Sequence, residues 1–337
     1  PAAGFPCSRD CGGWGIVARF VMEFARPLVE LEEKLAELSR LDMAAMPDLA
    51  AEITDLEREV ERLRQTLYSA LSPWEKVQVS RHPERPKTDD YLNALFTDVV
   101  ELKGDRAFAD DEAVLAALAT IDGRRVMVIG HRKGRTTKEN IARNFGSPHP
   151  EGFRKAERAM RLAGKFGLPL VTLLDTAGAS PGLEDEERGQ AWAIASCLAT
   201  LSDLPVPVVV VGIGEGGSGG ALAIGFGDRL IMLENSYYSV ISPEMCAVIL
   251  HKDATRAPET ASALTLTAED LVRLGIADEL VPEPLGGAHR DPVAVLAEVG
   301  VRVSAALEGL SAEDPASLAE RRYARLRAIG EFADGAG

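Results

Sequence analysis

The chain has 337 residues, 46% of them hydrophobic, and a formal net charge of −15. That composition is enough for a large globular core, contains no apolar run of membrane-spanning length, and argues against a generic nucleic-acid binder, whose surface must be basic. Four cysteines, Cys7, Cys11, Cys197 and Cys246, do not require an oxidising compartment, and the Cys7/Cys11 pair lacks the second pair that a zinc site needs.

Residues 1–21 are rich in Gly, Pro and Cys and lack periodicity, so they are expected to be a poorly ordered or non-native extension, with Met22 a candidate start. From Pro27 to Leu71, Leu28, Leu31, Leu35 and Leu38, then Ile53, Leu56, Val60, Leu63 and Leu67, recur at helical spacing on either side of Pro47. An antiparallel helix pair is predicted, packed on the main body or a neighbouring chain, or else lying as a solvated surface hairpin. Residues 72–90 read as a polar connector with three prolines, and Asp89 or Asp90 is placed to cap a helix over Tyr91–Leu102. Asp105, Asp110, Asp111 and Glu112 follow; they lack the alternation of an EF-hand and read as a solvated turn.

Val114–Ile121 and Arg125–Gly130 flank Asp122-Gly123 and predict a β-hairpin. Next comes a basic island of Arg132, Lys133, Arg135, Lys138 and Arg143, which suits an anionic ligand or a subunit contact. From Pro150 helices and strands alternate: helix Gly152–Phe166, strand Leu168–Leu174, helix Glu186–Leu201 and strand Val208–Ile213. Short strands Arg229–Leu233 and Tyr237–Ile241, a helix opening at Ser242, helix Thr267–Leu274, strand Ile276–Val281 and helices Pro292–Leu307 and Ser317–Ile329 complete the chain.

Two strand exits are glycine-rich: Asp175-Thr-Ala-Gly178-Ala179-Ser180-Pro-Gly182, and Gly214-Glu-Gly216-Gly217-Ser218-Gly219-Gly220. Strand exits of parallel α/β units are where ligands bind, and free N–H groups at a following helix start can hold an oxyanion. The second exit also matches two loose patterns. Gly212-x-Gly214-x-x-Gly217 with Glu234 resembles a dinucleotide fingerprint. Gly216-x-Ser218-x-Gly220 resembles a nucleophile elbow, with His251 or His289 and Asp228, Asp253 or Asp278 as possible partners. Against the first, Gly225 and Gly227 stop the helix early.

Six stretches in register resemble the carboxyltransferase α subunit of bacterial and plastid-type, multisubunit acetyl-CoA carboxylase. They are Gly130-His-Arg-Lys-Gly-Arg135, Arg143-Asn-Phe-Gly146, Glu186-Glu-Arg-Gly-Gln190, Gly214–Gly225, Tyr238-Ser-Val-Ile-Ser-Pro-Glu244 and Pro282–Arg290. The likeness runs from about Pro27 to Ala328. It departs at the first exit, where Ala177 and Ser180 replace the family's proline and tyrosine.

The resemblance implies an α/β crotonase-like fold (ClpP/crotonase superfamily), a spiral of repeated ββα turns with an N-terminal helical hairpin. The division expected is an extension over 1–21, hairpin and connector over 22–90, the carboxyltransferase domain over 91–310 and a C-terminal helix and tail over 311–337. It implies an α2β2 assembly with a zinc-ribbon β subunit, a biotin carboxyl carrier protein and, in the wider complex, biotin carboxylase. This chain is expected to bind no metal or resident cofactor; zinc belongs to the β subunit, and carboxybiotin on the carrier is the co-substrate. The reaction implied is carboxyl transfer to acetyl-CoA, giving malonyl-CoA for fatty acid synthesis in the cytoplasm. The backbone of Gly219, Gly220 and Ala221, with Gly178 and Ala179 opposite, is assigned as the oxyanion hole. Gly216, Gly217, Lys133, Arg135 and Ser180 are assigned to substrate binding. A hydrolase with Ser218 as nucleophile and a non-catalytic scaffold subunit are the alternatives.

Overall fold

The computed structural model describes residues 20–40 and 47–330. Among them runs a sheet of β1 (Thr97–Glu101), β2 (Val114–Ile121), β3 (Arg124–His131), β4 (Leu170–Thr176), β5 (Val208–Gly217), β6 (Arg229–Leu233), β7 (Tyr237–Ser239) and β8 (Glu279–Val281). The order across it is β1-β2-β3-β4-β5-β6-β8, and β7 joins the far end of β5. The first three strands pair antiparallel, through the expected hairpin with Asp122 (φ 47°) and Gly123 (φ 76°) at its turn. From β3 onward every pairing is parallel.

Both faces of the sheet are buried. Val208 and Val210 of β5 point into one core, and Val209, Val211 and Ile213 into the other. Helices Pro150–Phe166 and Gln190–Asp203 cover the first face with Phe153, Met160, Cys197 and Leu201. Helices Thr88–Leu95 and Pro292–Ser311 cover the second with Tyr91, Val299, Val303 and Leu307. Burial on two sides is why β5 reads as an unbroken apolar run. Each such side chain contributes roughly 1.5–3 kcal/mol, so the ends of these strands are held by a rigid scaffold.

Several stretches differ from the sequence prediction. The helix expected over Tyr91–Leu102 is Thr88–Leu95, followed by β1. Asp90 caps it from within, its carboxylate accepting from Lys87 N–H at 2.7 Å, and Val99 and Val100 are exposed on an edge strand. The connector contains a helix, Pro73–Ser80, whose capping box is Ser72 with Glu75. The helix expected over Glu186–Leu201 is two, Leu183–Glu187 and Gln190–Asp203, parted where Gly189 takes φ 84°.

Helices Arg26–Leu38 and Pro47–Tyr68 form the expected pair and pack on the main body. Leu28, Val60 and Tyr68 share a core with Val79 and Leu285, and Glu32 bridges Arg64 (3.0 Å) and Arg290 (3.2 Å). The expectations for Cys7, Cys11 and nearly all of the N-terminal extension lie outside the described residues. At the other end, helix Pro315–Arg327 inserts Arg322, which is 1% exposed. Its guanidinium donates to the carbonyls of Leu201 (2.6 Å), Leu204 (3.0 Å) and Val206 (3.0 Å) and pairs with Asp228 (2.8 Å). No described helix is long and apolar enough to cross a membrane.

Candidate functional site

The fold brings the two glycine-rich exits into backbone contact. β5 does not stop at Ile213 as expected. Thr176 of β4 aligns with Gly216, and Glu215–Gly217 pair with β7, so the glycines remain strand until Gly217. The following helix is short, Ser218–Leu222. A Cβ on Gly217 would fall inside the Ala177 carbonyl. One on Gly220 would lie 2.6 Å from the Gly178 carbonyl carbon and 3.0 Å from its Cα. Gly178 itself has φ 149°, a conformation that favours glycine. Gly219 is different: the nearest atom to a Cβ there is 3.7 Å away, on Ile194. The N–H groups of Gly219 and Gly220 belong to the first helical turn, which has no intrahelical acceptor for them, and Ala221 follows at the fourth helical position.

A cavity of about 360 Å³ opens beside Ser218 and Gly219. Leu222, Phe226, Tyr238, Val240, Leu271, Ile276, Leu326 and Ile329 form its walls. Arg325 is the charged residue of the lining, and it is spent on Asp278 at 2.6 Å. An anion formed here would meet amide dipoles in an apolar setting, where they act strongly.

Beneath the exits lies a buried lattice of charge. Lys133 Nζ donates to Asp175 (2.7 Å) and Glu215 (2.6 Å), and Arg81 Nε donates to Glu215 (2.6 Å). The Tyr237 hydroxyl donates to Glu215 at 3.0 Å. Burial alone would raise the Glu215 pKa, but Lys133 and Arg81 outweigh it and hold the carboxyl down at about 2. Burial likewise opposes the Lys133 charge, and Asp175 and Glu215 more than reverse that, raising its pKa. Arg85 adds a bond to Ile213 O (2.7 Å) and a buried pair with Glu283.

The basic island is largely neutralised within the chain. Arg132 pairs with Asp89 and Glu101, Arg143 with Asp89 and Arg135 with Asp90. Lys133 and Arg135, assigned to substrate binding, are therefore both occupied by carboxylates. Ser180 is buried and donates to Asp185 at 2.5 Å, while its N–H donates to Pro148 O (2.9 Å). Gln190 clamps the same turn through Pro148 O and Ser180 O, both at 2.9 Å. Ser180 thus holds the first exit and does not line the cavity.

One residue at the site was missed from the sequence. His131, at the end of β3, is fully buried, with Nε2 3.2 Å from Gly220 O and Nδ1 3.4 Å from Asp175 N. Burial pushes its pKa down to about 3. The signal was its place at a strand end within the Gly130–Arg135 motif.

The rival patterns do not assemble. Ser218 is exposed at φ 55°, but four of its five candidate partners are engaged elsewhere. His289 stacks on His82 at 3.6 Å, Asp253 caps Thr255, and Asp228 and Asp278 bind Arg322 and Arg325. Glu234 accepts from Glu283 N–H at 2.9 Å, which ties β6 to the segment after β8. Of the acidic turn, Asp105 binds Arg154 (2.8 Å), Asp110 binds Lys155 (2.7 Å), and Asp111 accepts from His149 N–H (2.8 Å). Among the described residues no group of three or more His, Cys, Asp or Glu is arranged to hold a metal.

The family described as acetyl co-enzyme A carboxylase carboxyltransferase-like matches residues 21–330. The acetyl-coenzyme A carboxylase carboxyl transferase subunit alpha of a Thermus thermophilus strain is 52% identical over 313 residues, covering 93% of this chain and 99% of the relative. That of Rubrobacter xylanophilus is 54% identical over 312 residues, covering 93% and 97%. Among solved structures, transcarboxylase 12S superposes with a TM-score of 0.55 at 18% identity, over 75% of this chain and 44% of that one. A Pseudomonas malonate decarboxylase heterodimer chain gives 0.53 at 19% identity, over 65% and 89%. These superpositions agree with the crotonase-like fold expected.

Proposed function

This chain belongs to the carboxyltransferase α subunits of acetyl-CoA carboxylase, and from that premise we propose that it supplies the biotin-facing half of a shared site. The reaction is transfer of a carboxyl group from carboxybiotin, carried on a biotin carboxyl carrier protein, to acetyl-CoA, giving malonyl-CoA. The observation that carries the assignment of the site is the contact between the two exits beside a cavity poor in free titratable groups. Such a site offers backbone amides and an apolar wall, which suits a reaction whose acid–base chemistry the substrates supply themselves.

Carboxybiotin releases CO2 and leaves an anion on its ureido oxygen. That anion takes a proton from the methyl group of acetyl-CoA, and the thioester enolate formed attacks CO2. Two oxyanions need stabilising. On this reading Gly219, Gly220 and Ala221, with Gly178 and Ala179 opposite, face the biotin oxygen, and a β subunit faces the thioester. Losing one such donor costs on the order of 3 kcal/mol.

Acting with a β subunit follows from being an α subunit; the zinc ribbon, the α2β2 stoichiometry, the carrier, the biotin carboxylase and the cytoplasmic setting are parts of the proposal. Support for a large contact comes from Val240 at the cavity and Met245, Ile249 and Leu250 on helix Pro243–His251, all exposed apolar side chains. In the same proposal this chain holds no resident cofactor, and zinc resides in the partner. The test is reconstitution: this chain, a zinc-ribbon partner, carboxylated carrier and acetyl-CoA should yield malonyl-CoA, and either chain alone should not. Absence of transfer by the reconstituted pair would overturn the reading.

A further inference from the structure

We infer that His131 is a positioning residue for carboxyl transfer: its imidazole fixes and polarises the Gly220–Ala221 peptide, whose N–H faces the oxyanion. The inference rests on the reading of Gly219–Ala221 as oxyanion donors.

The short helix leaves one of its carbonyls unused. In a regular α-helix Gly220 O would accept from the N–H of residue 224. Here Ala223 N–H goes to Gly219 O (3.0 Å), Ile224 N–H to Ala221 O (3.3 Å) and Gly225 N–H to Leu222 O (3.0 Å). The ladder tightens to i→i−3 bonds and passes Gly220 O by. A buried carbonyl without a partner is unfavourable, and His131 Nε2 meets it at 3.2 Å.

The ring's partners assign its single proton. Nδ1 faces a donor, the Asp175 N–H, at 3.4 Å, and Nε2 faces an acceptor. A neutral imidazole satisfies both with hydrogen on Nε2 and a lone pair on Nδ1. The histidine thus ties β3 and β4 to the short helix after β5. The peptide is planar, so holding the Gly220 carbonyl also sets the direction of the Ala221 N–H. A hydrogen bond to that carbonyl also polarises the amide and strengthens its N–H as a donor. On its other side Gly220 rests on the Gly178–Ala179 backbone, so the amide is pinned from two directions.

Two polar substitutions separate this role from mere filling of space. The amide nitrogen of Gln reaches the place of Nε2; that of Asn reaches only the place of Nδ1. In the reconstituted complex His131→Gln should keep kcat within about threefold. His131→Asn should lose about tenfold to a hundredfold in kcat, with KM for acetyl-CoA unchanged within about twofold. Nitrogen-15 NMR of the wild-type complex should show His131 protonated on Nε2 and unchanged between pH 6 and 8. Equal kcat in the two variants, whether retained or lost, or a proton on Nδ1, would overturn the inference. Gly219→Val serves as the control for the underlying reading. If it transfers carboxyl groups as well as wild type, the donor assignment itself has failed; if it is inactive and His131→Asn is not, only the role of His131 has.

Discussion

Gly219 and Gly220 are adjacent, yet a side chain should lower the rate at both and the stability at Gly220 alone. At Gly220 a Cβ falls 2.6 Å from the Gly178 carbonyl carbon, against about 3.4–4 Å for ordinary contact. The obstacle is backbone, which has no rotamer to change. The two exits must therefore part by roughly 1 Å, and overpacking of that kind costs about 1–3 kcal/mol. A shift of about 1 Å at a reacting centre is enough for about a hundredfold loss in rate. At Gly219 the nearest atom is 3.7 Å away and the residue borders the cavity. A Cβ is accepted there without displacing the backbone, and the helix propensity of valine exceeds that of glycine by a few tenths of a kcal/mol. Gly219→Val should hold its urea midpoint to within about 0.5 kcal/mol and lose at least a hundredfold in malonyl-CoA formation, because its methyl groups crowd the amides. Gly220→Ala should lose both stability and rate. The assays are equilibrium denaturation of the isolated chain and steady-state transfer by the reconstituted complex. A fully stable Gly220→Ala, or a fully active Gly219→Val, would refute the account of how the exits fit.

Ser218→Ala should keep transfer within about threefold; a thousandfold loss, with fluorophosphonate labelling of Ser218 in the wild type, would restore the nucleophile. Arg85→Met leaves Glu283 buried without its cation and should cost about 3–5 kcal/mol by denaturation; an unchanged midpoint would contradict that. Glu215 titrates at about 2 in the folded chain against an ordinary 4.5. Its stabilisation is present above pH 4.5 and is lost as pH falls toward 2, worth roughly 3 kcal/mol in all. The gap between Glu215→Gln and wild type should therefore narrow between pH 7 and pH 3; a constant gap would count against the lattice.

The core strands and their order of helices were legible because β2 to β5 carry long apolar runs between turn signals, and the Asp122-Gly123 hairpin announces itself. What was missed depends on tertiary pairing. The glycines after Ile213 give no strand signal of their own; they are strand because β4 and β7 lie on either side. Val99 and Val100 sit on an edge that only β2 defines. At the site, the two exits were legible as backbone donors, but their mutual contact was not, since nothing local says that Gly220 lies against Gly178. Lys133 and Arg135 looked like free cations because their carboxylates, Asp175, Glu215 and Asp90, are distant in sequence. His131 was hidden for the same reason: its acceptor is 89 residues away.

The clasp made by Arg322 bears on the order in which the molecule matures during synthesis. Three carbonyls at the end of helix Gln190–Asp203 and the entry to β5 wait for a guanidinium encoded 116 to 121 residues later. Leu326 and Ile329, which wall the cavity, arrive later still. A nascent chain can therefore lay down the sheet and both exits while the pocket stands open on that side. Closure of the pocket is then a late event, timed by translation of the last described helix, and termination before Arg322 would leave the site without a wall and Asp228 buried without its cation.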